Sequence, residues 1–291
     1  NITYGDVINV AQSLPSNAEG NVTYRFANGT IINVVGVNES FVLSDLDVGS
    51  YVVYADYSGD SNYASARDSV TIVVNKAVND VVVHASDVVY GENTTIIVNA
   101  DVDGQYTVIF ADRNVIVDVL NGMGEVAIAL DAGSYSTAVE FEDTNYENNV
   151  TGCEFVVSKA DVGLSVEVLD KVYSADVDGN VFATVDGEYM VVIGNYAVYV
   201  VVKDGVGSFN VGILNVGNYS AFVSFNGTDN YNSADNETAF KVTQSGTNFN
   251  VIVDETNVSY GDVIDVTQSL PADATGNVTY RFANGTVINV V

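Results

Sequence analysis

Three acidic clusters carry the residue types that hold a hard cation: Asp101-Val102-Asp103-Gly104, Asp176-Val177-Asp178-Gly179 and Asp186-Gly187-Glu188. Ca2+ takes six to eight oxygen ligands, so Asp101, Asp103, Asp176 and Asp178 are candidate ligands for an ion at a strand end or domain junction. None of the clusters has EF-hand spacing, and Asp-Gly is also the default hairpin turn. A second candidate chemistry is N-glycosylation. Twelve Asn-x-Ser/Thr sequons begin at Asn1, Asn21, Asn28, Asn38, Asn93, Asn149, Asn218, Asn226, Asn236, Asn257, Asn277 and Asn284. That excess favours a glycosylated, secreted surface, although turn-rich β proteins concentrate Asn, Gly and Thr anyway. Asn28 and Asn226, each in Asn-Gly-Thr, read as loop sites.

Other chemistries lack material. The single His84 has no Ser or Asp constellation around it in sequence, and the single Cys153 has no partner, so it reads as a small buried hydrophobe. Five Lys are available for a Lys–Asn cross-link, and Lys76 and Lys159 fall at boundaries rather than mid-strand. Paired carboxylates remain open on composition alone, but small repeated domains supply no evident deep cleft. The expectation is a non-enzyme without a required cofactor, with Ca2+ as the one ion to test.

Charge narrows the partners. With 38 acidic and 9 basic residues the formal charge is −29. Nucleic acid and anionic membrane both need clustered Lys/Arg, so both are excluded as partners. At 47% hydrophobic, the chain still has the material for real cores. No apolar run approaches the ~18 residues of a membrane span. The N-terminal Asn1-Ile2-Thr3-Tyr4-Gly5-Asp6 does not read as a signal peptide.

These residues sit in a repeat. The marker Leu-x-x-Gly-x-Tyr occurs as Leu46–Tyr51, Leu130–Tyr135 and Leu214–Tyr219, with Gly49, Gly133 and Gly217 successively 84 residues apart. An aromatic and a loop closing on Asn-Tyr follow each marker: Tyr57–Tyr63, Phe141–Tyr146 and Phe225–Tyr231. Lys76-Ala77 and Lys159-Ala160 mark boundaries. Residues 1–35 and 257–291 align without a gap at an offset of 256, with about 27 of 35 positions identical. The expected division is 1–76, a repeat lacking its first strand; 77–160 and 161–244, two complete repeats; and 245–291, the N-terminal half of a fourth. The chain reads as a segment of a longer array.

Each repeat reads as β. Tyr135, Thr137, Val139 and Phe141 alternate with Ser136, Ala138 and Glu140, the period-two pattern of a half-buried antiparallel strand. In the second repeat seven runs are expected: 81–85, 94–100, 105–110, 115–120, 125–130, 135–141 and 152–157. Turn residues separate them, including Asp103-Gly104, Asp112-Arg113-Asn114 and Asn121-Gly122. Seven short strands in about 84 residues predict tandem immunoglobulin-like β-sandwiches. Within that fold Tyr51, Tyr135 and Tyr219 are framework residues, each either bonding its hydroxyl back to a corner or filling the core. Gly49, Gly133 and Gly217 would supply the tight corner.

The Leu-x-x-Gly-x-Tyr strand and the Tyr57-Ser58-Gly59-Asp60-Ser61-Asn62-Tyr63 loop resemble bacterial Ig-like repeats of the group 3 type, found in adhesin-like surface proteins of bacteria and methanogenic archaea. The resemblance runs over the whole chain, is strongest at 46–63, and loosens at Tyr173-Ser174-Ala175-Asp176, where other repeats have Tyr-Gly-Asp/Glu. It implies an extracellular stalk that extends a binding region from the cell surface, with neighbouring repeats or copies of the chain as partners. Host-cell or microbial surface ligands of the parent protein are also implied. A subunit of a filament or sheath joined by strand complementation is the alternative. A carbohydrate-binding accessory repeat is a third reading, weakened by the absence of Trp although 18 Tyr could stack on sugar.

Overall fold

A computed structural model describes residues 1–110 and 113–290. Every regular element among them is a β-strand, as the period-two patterning requires. The Asp112 of one expected turn lies outside the described residues. The chain divides into two compact units. The first holds Asn1–Ala160 with Thr228–Tyr231; the second holds Asp161–Gly227 and the chain from Asn232 onward.

In the first unit, residues 1–75 form β1 (Ile2–Thr3), β2 (Ile8–Val10), β3 (Asn21–Phe26), β4 (Ile31–Gly36), β5 (Phe41–Leu43), β6 (Gly49–Tyr57) and β7 (Ala66–Asn75). A sheet of order β1-β7-β6-β3-β4 packs on the β2-β5 pair. Val22, Tyr24, Val53 and Tyr57 are buried between them.

Residues 77–158 form β8 (Ala77–Ala85), β9 (Val88–Val89), β10 (Asn93–Ala100), β11 (Gly104–Phe110), β12 (Arg113–Val119), β13 (Met123–Ala129), β14 (Gly133–Ser136), β15 (Ala138–Glu140), β16 (Tyr146–Thr151) and β17 (Glu154–Ser158). Sheet β13-β10-β8-β16 faces β12-β11-β15 and β14-β17-β9. Val81, Ile96, Val98, Tyr106, Val108 and Phe155 fill the space between. The expected strand over 135–141 is broken at Thr137, and Tyr146–Thr151 forms a strand that alternation does not reveal. Both differences have one cause. The last strand starts on the opposite sheet, where β16 runs parallel to β8. Side-chain amides hold it there: Asn149 Nδ2 donates to Asp80 Oδ1 at 2.7 Å and Asn79 Nδ2 to Asn148 Oδ1 at 3.1 Å. The strand then crosses back at Cys153, whose N–H donates to Thr137 Oγ1 at 2.8 Å in place of a regular ladder.

The second unit contains β18 (Leu164–Val168), β19 (Lys171–Val172), β20 (Asp176–Ala183), β21 (Gly187–Ile193), β22 (Tyr196–Val202), β23 (Val206–Ile213), β24 (Gly217–Phe225) and β25 (Ala234–Thr243). Sheets β18-β20-β23 and β19-β25-β24-β21-β22 are the two layers of an immunoglobulin-like sandwich. The chain continues as β26 (Asn250–Val253), β27 (Val266–Ser269), β28 (Thr279–Arg281) and β29 (Val287–Val290), paired two by two. The residues of β26, β27 and β29 are all exposed.

Candidate functional site

The marker tyrosines each close a corner. The Tyr51 hydroxyl donates to Asp47 O at 2.9 Å, Tyr135 to Asp131 O at 2.8 Å and Tyr219 to Asn215 O at 2.8 Å. Gly49, Gly133 and Gly217 do not supply backbone freedom, since none has a left-handed φ. A Cβ at Gly49 would meet the Tyr51 ring at 3.6 Å, an ordinary contact. The corner is therefore held by the hydroxyl bond. A second corner of the same geometry went unseen in the sequence. Tyr106, buried, donates to Val102 O at 2.6 Å, and Tyr189, also buried, to Val185 O at 2.6 Å. Its signal is Val-Asp-Gly-x-Tyr, whose Asp-Gly had suggested a cation site or a plain turn.

The Asn-Tyr loops are built by a short turn that fixes the asparagine. Asp60 Oδ1 accepts from the N–H groups of Asn62 (2.7 Å) and Tyr63 (2.8 Å). Asp143 Oδ1 accepts from Asn145 N at 2.6 Å, and Thr228 Oγ1 from Asn230 N at 3.2 Å. Side chains that bond the backbone two residues on define such turns.

Within the first unit the presented asparagine meets a marker corner. Asn145 Oδ1 accepts from Val48 N at 2.9 Å while its Nδ2 donates to Asp47 Oδ1 at 3.0 Å. Asn230 repeats this on Ala132 N (2.8 Å) and Asp131 Oδ1 (3.0 Å). Asp47 and Asp131 thus serve twice, with the carbonyl holding the corner tyrosine and the carboxylate holding the asparagine. The backbone follows suit, because Ala77 N donates to Asn145 O at 2.9 Å and Ala160 N to Asn230 O at 3.0 Å. Lys76 Nζ donates to Asp143 O and Tyr146 O, and Lys159 Nζ to Thr228 O. Edge-to-face rings complete each set, Tyr4 on Tyr146 and Tyr90 on Tyr231, both with centroids 5.3 Å apart.

Between residues 1–75 and 77–158 this arrangement leaves a one-residue linker, Lys76. The marker, the Asn-Tyr loop, the Tyr-Gly-Asp/Glu turn and Lys-Ala all converge there. They are junction residues as well as framework. One neutral and one charge-assisted bond at a solvent-facing site contribute about 2 kcal/mol per clasp.

The other candidate residues lie apart. Asp103 caps a hairpin turn, its two oxygens accepting from Asn121 N (3.0 Å) and Gly122 N (2.9 Å), and these bonds hold its carboxyl below the usual range. Asp101 accepts from Asp80 N at 3.3 Å, Asp176 from Asn210 at 3.3 Å, and Asp178 pairs with Lys171. Among the described residues no three His, Cys, Asp or Glu side chains converge as a metal site. Of the sequon asparagines, Asn21, Asn28, Asn38, Asn93, Asn149, Asn218, Asn226, Asn277 and Asn284 are exposed, whereas Asn236 is half-buried in β25. His84 is exposed on β8 and Cys153 is half-buried.

No family model and no curated protein matches this chain. Solved structures that resemble it include the fibronectin(III)-like modules of CbhA from Clostridium thermocellum, at 15% identity over 54% of this chain and 88% of that one, TM-score 0.27. The N-terminal four Ig domains of Dscam1 isoform 4.44 also resemble it, at 12% identity over 83% of this chain and 71% of that one, TM-score 0.26.

Proposed function

We propose that the chain is a non-enzymatic spacer segment of an extracellular, adhesin-like surface protein, in which Ig-like repeats of about 84 residues are held in fixed succession to extend a binding region. The observation that carries this reading is the clasp at Asp47, Val48 and Asn145 over a one-residue linker. A spacer transmits position and force, so it needs defined joints. This joint is built from side chains that repeat at the same interval as the fold. Acidic surface and exposed sequons suit such a coat. The reading calls for no cofactor and no catalytic residue.

Residual dipolar couplings on the 291-residue chain test the joint. Residues 1–75 and 77–158 are expected to share one alignment tensor, and in Asn145→Ala the two tensors diverge while each set of residues stays folded. Equal tensors in both proteins would remove the clasp from the argument.

A further inference from the structure

Asn-Gly occurs four times in the chain, at Asn28-Gly29, Asn121-Gly122, Asn226-Gly227 and Asn284-Gly285. Glycine has no Cβ to shield its amide nitrogen, so this dipeptide can react within itself. The glycine nitrogen attacks the asparagine Cγ and closes a five-membered imide, and the side-chain amide leaves as ammonia. Water then opens the imide at either carbonyl. The product is aspartate, or an isoaspartate whose main chain runs through Cβ and Cγ. Water is the only co-reactant. The attacking species is the deprotonated amide, so an N–H held in a hydrogen bond resists this reaction as it resists hydrogen exchange.

Three of the four dipeptides are held in that way. Gly29 N donates to Phe26 O at 2.9 Å, while Asn28 Oδ1 accepts from Thr30 N at 3.0 Å. Asn284-Gly285 repeats both bonds, Gly285 N to Phe282 O at 2.9 Å and Thr286 N to Asn284 Oδ1 at 3.0 Å. In the third, the two oxygens of Asp103 accept from Asn121 N and Gly122 N.

Asn226-Gly227 differs. It follows directly on β24, whose ladder with β25 ends at Phe225 and Ala234. Asn226 is exposed and Gly227 half-buried. Among the described residues, neither the Gly227 N–H nor the Asn226 side chain has a hydrogen-bond partner. The bonds that shape this loop begin one residue later. Thr228 N donates to Tyr231 O at 3.0 Å, and Thr228 Oγ1 accepts from Asn230 N and Tyr231 N, both at 3.2 Å.

We propose that Asn226 is a self-modifying site, the one Asn-Gly of the four that the fold leaves free to form isoaspartate. Conversion adds a carboxylate and one methylene of main chain two residues ahead of Thr228. That threonine holds the turn presenting Asn230 to Ala132 N and Asp131. Asn226 also opens the sequon Asn226-Gly227-Thr228. A glycan there would occupy the amide nitrogen that otherwise leaves as ammonia, so glycosylation and conversion exclude one another at this residue.

Peptide mapping by mass spectrometry on the unglycosylated 291-residue chain, held in mildly alkaline buffer, tests this inference. In the folded chain Asn226 is expected to convert at least about tenfold faster than Asn28, Asn121 and Asn284, whose amides react only after local opening. In concentrated urea that protection is gone, and the four rates are expected to fall within about threefold of one another. Asn226→Gln should remove the fast phase of ammonia release, because glutamine would have to close a six-membered ring. Equal rates at the four sites in the folded chain, or a faster one at any of the three held sites, would overturn the proposal. So would an order of rates that persists unchanged in urea, since sequence and not fold would then set it. None of these outcomes touches the Asn145 clasp, so the spacer reading stands or falls separately.

Discussion

Individual side chains in this protein show where local rules are obeyed and where they are strained. Thr94 is fully buried in β10 and its Oγ1 lacks a hydrogen-bond partner. A buried hydroxyl left unsatisfied costs about 1–3 kcal/mol, so Thr94→Val should raise unfolding free energy by ~1 kcal/mol in urea titration. Ser174 holds φ 79°, where Gly5, Gly91 and Gly261 hold 87°, 97° and 98° in the corresponding turns. The left-handed region costs an L-residue about 1 kcal/mol. Ser174→Gly should recover up to that amount, less the added chain entropy of glycine. Asp60 illustrates pH linkage. Its carboxyl is lowered from 3.8 to about 2, first by the Glu19 N–H, then by Asn62 N–H, the Tyr57 hydroxyl and Tyr63 N–H. A depressed carboxylate contributes fully above its unfolded pKa and loses that contribution as pH falls through its folded one. The 57–63 loop should therefore keep its Asn62 and Tyr63 amide shifts at pH 5 and lose them near pH 2 by NMR titration. In Asp60→Asn that transition should be absent.

Strands and corners form the next scale, and here sequence legibility divides by distance along the chain. The faces of β14 and β15 follow alternation, with Val139 buried between exposed Ala138 and Glu140. Corner tyrosines were readable because donor and acceptor lie four residues apart. The clasp was not, because Asn145 and Asp47 are 98 residues apart and nothing local distinguishes a presented asparagine from a turn asparagine. Its one local sign was the Asp or Thr two residues earlier that holds the loop. The crossing of the last strand at Cys153 was hidden for a similar reason, since Asn79, Asp80, Asn148 and Asn149 look like loop residues until they pair. Tyr135→Phe separates the corner's two roles. The ring still stacks on Phe155, centroids 5.2 Å apart, while the hydroxyl bond to Asp131 O is gone. A loss of about 1 kcal/mol is expected. Faster hydrogen exchange at Ala132 should accompany it, because the Asp131 corner also presents the N–H that Asn230 receives.

Across the whole chain, 38 carboxylates could either organise ions or repel one another. The candidate ligands favour repulsion as the dominant effect. Asp103 spends both oxygens on backbone N–H groups, and Asp178 is neutralised by Lys171, which lowers its carboxyl. Asp101 and Asp176 each bond within their own sheet region instead of converging with those two. An ion bound at either cluster would have to displace bonds that already satisfy these side chains. Calcium removal should therefore leave the melting temperature unchanged when a chelator is compared with salt of equal ionic strength. A fall on chelation that Ca2+ alone restores would return Asp101, Asp103, Asp176 and Asp178 to the position of ligands. Simple salt should act differently. The Debye length shortens from ~30 Å at 0.01 M to ~10 Å at 0.1 M, so repulsion spread over many exposed carboxylates weakens and the melting temperature rises. Mg2+ and Na+ at matched ionic strength should produce the same rise, because a diffuse charge responds to screening and not to the identity of the cation.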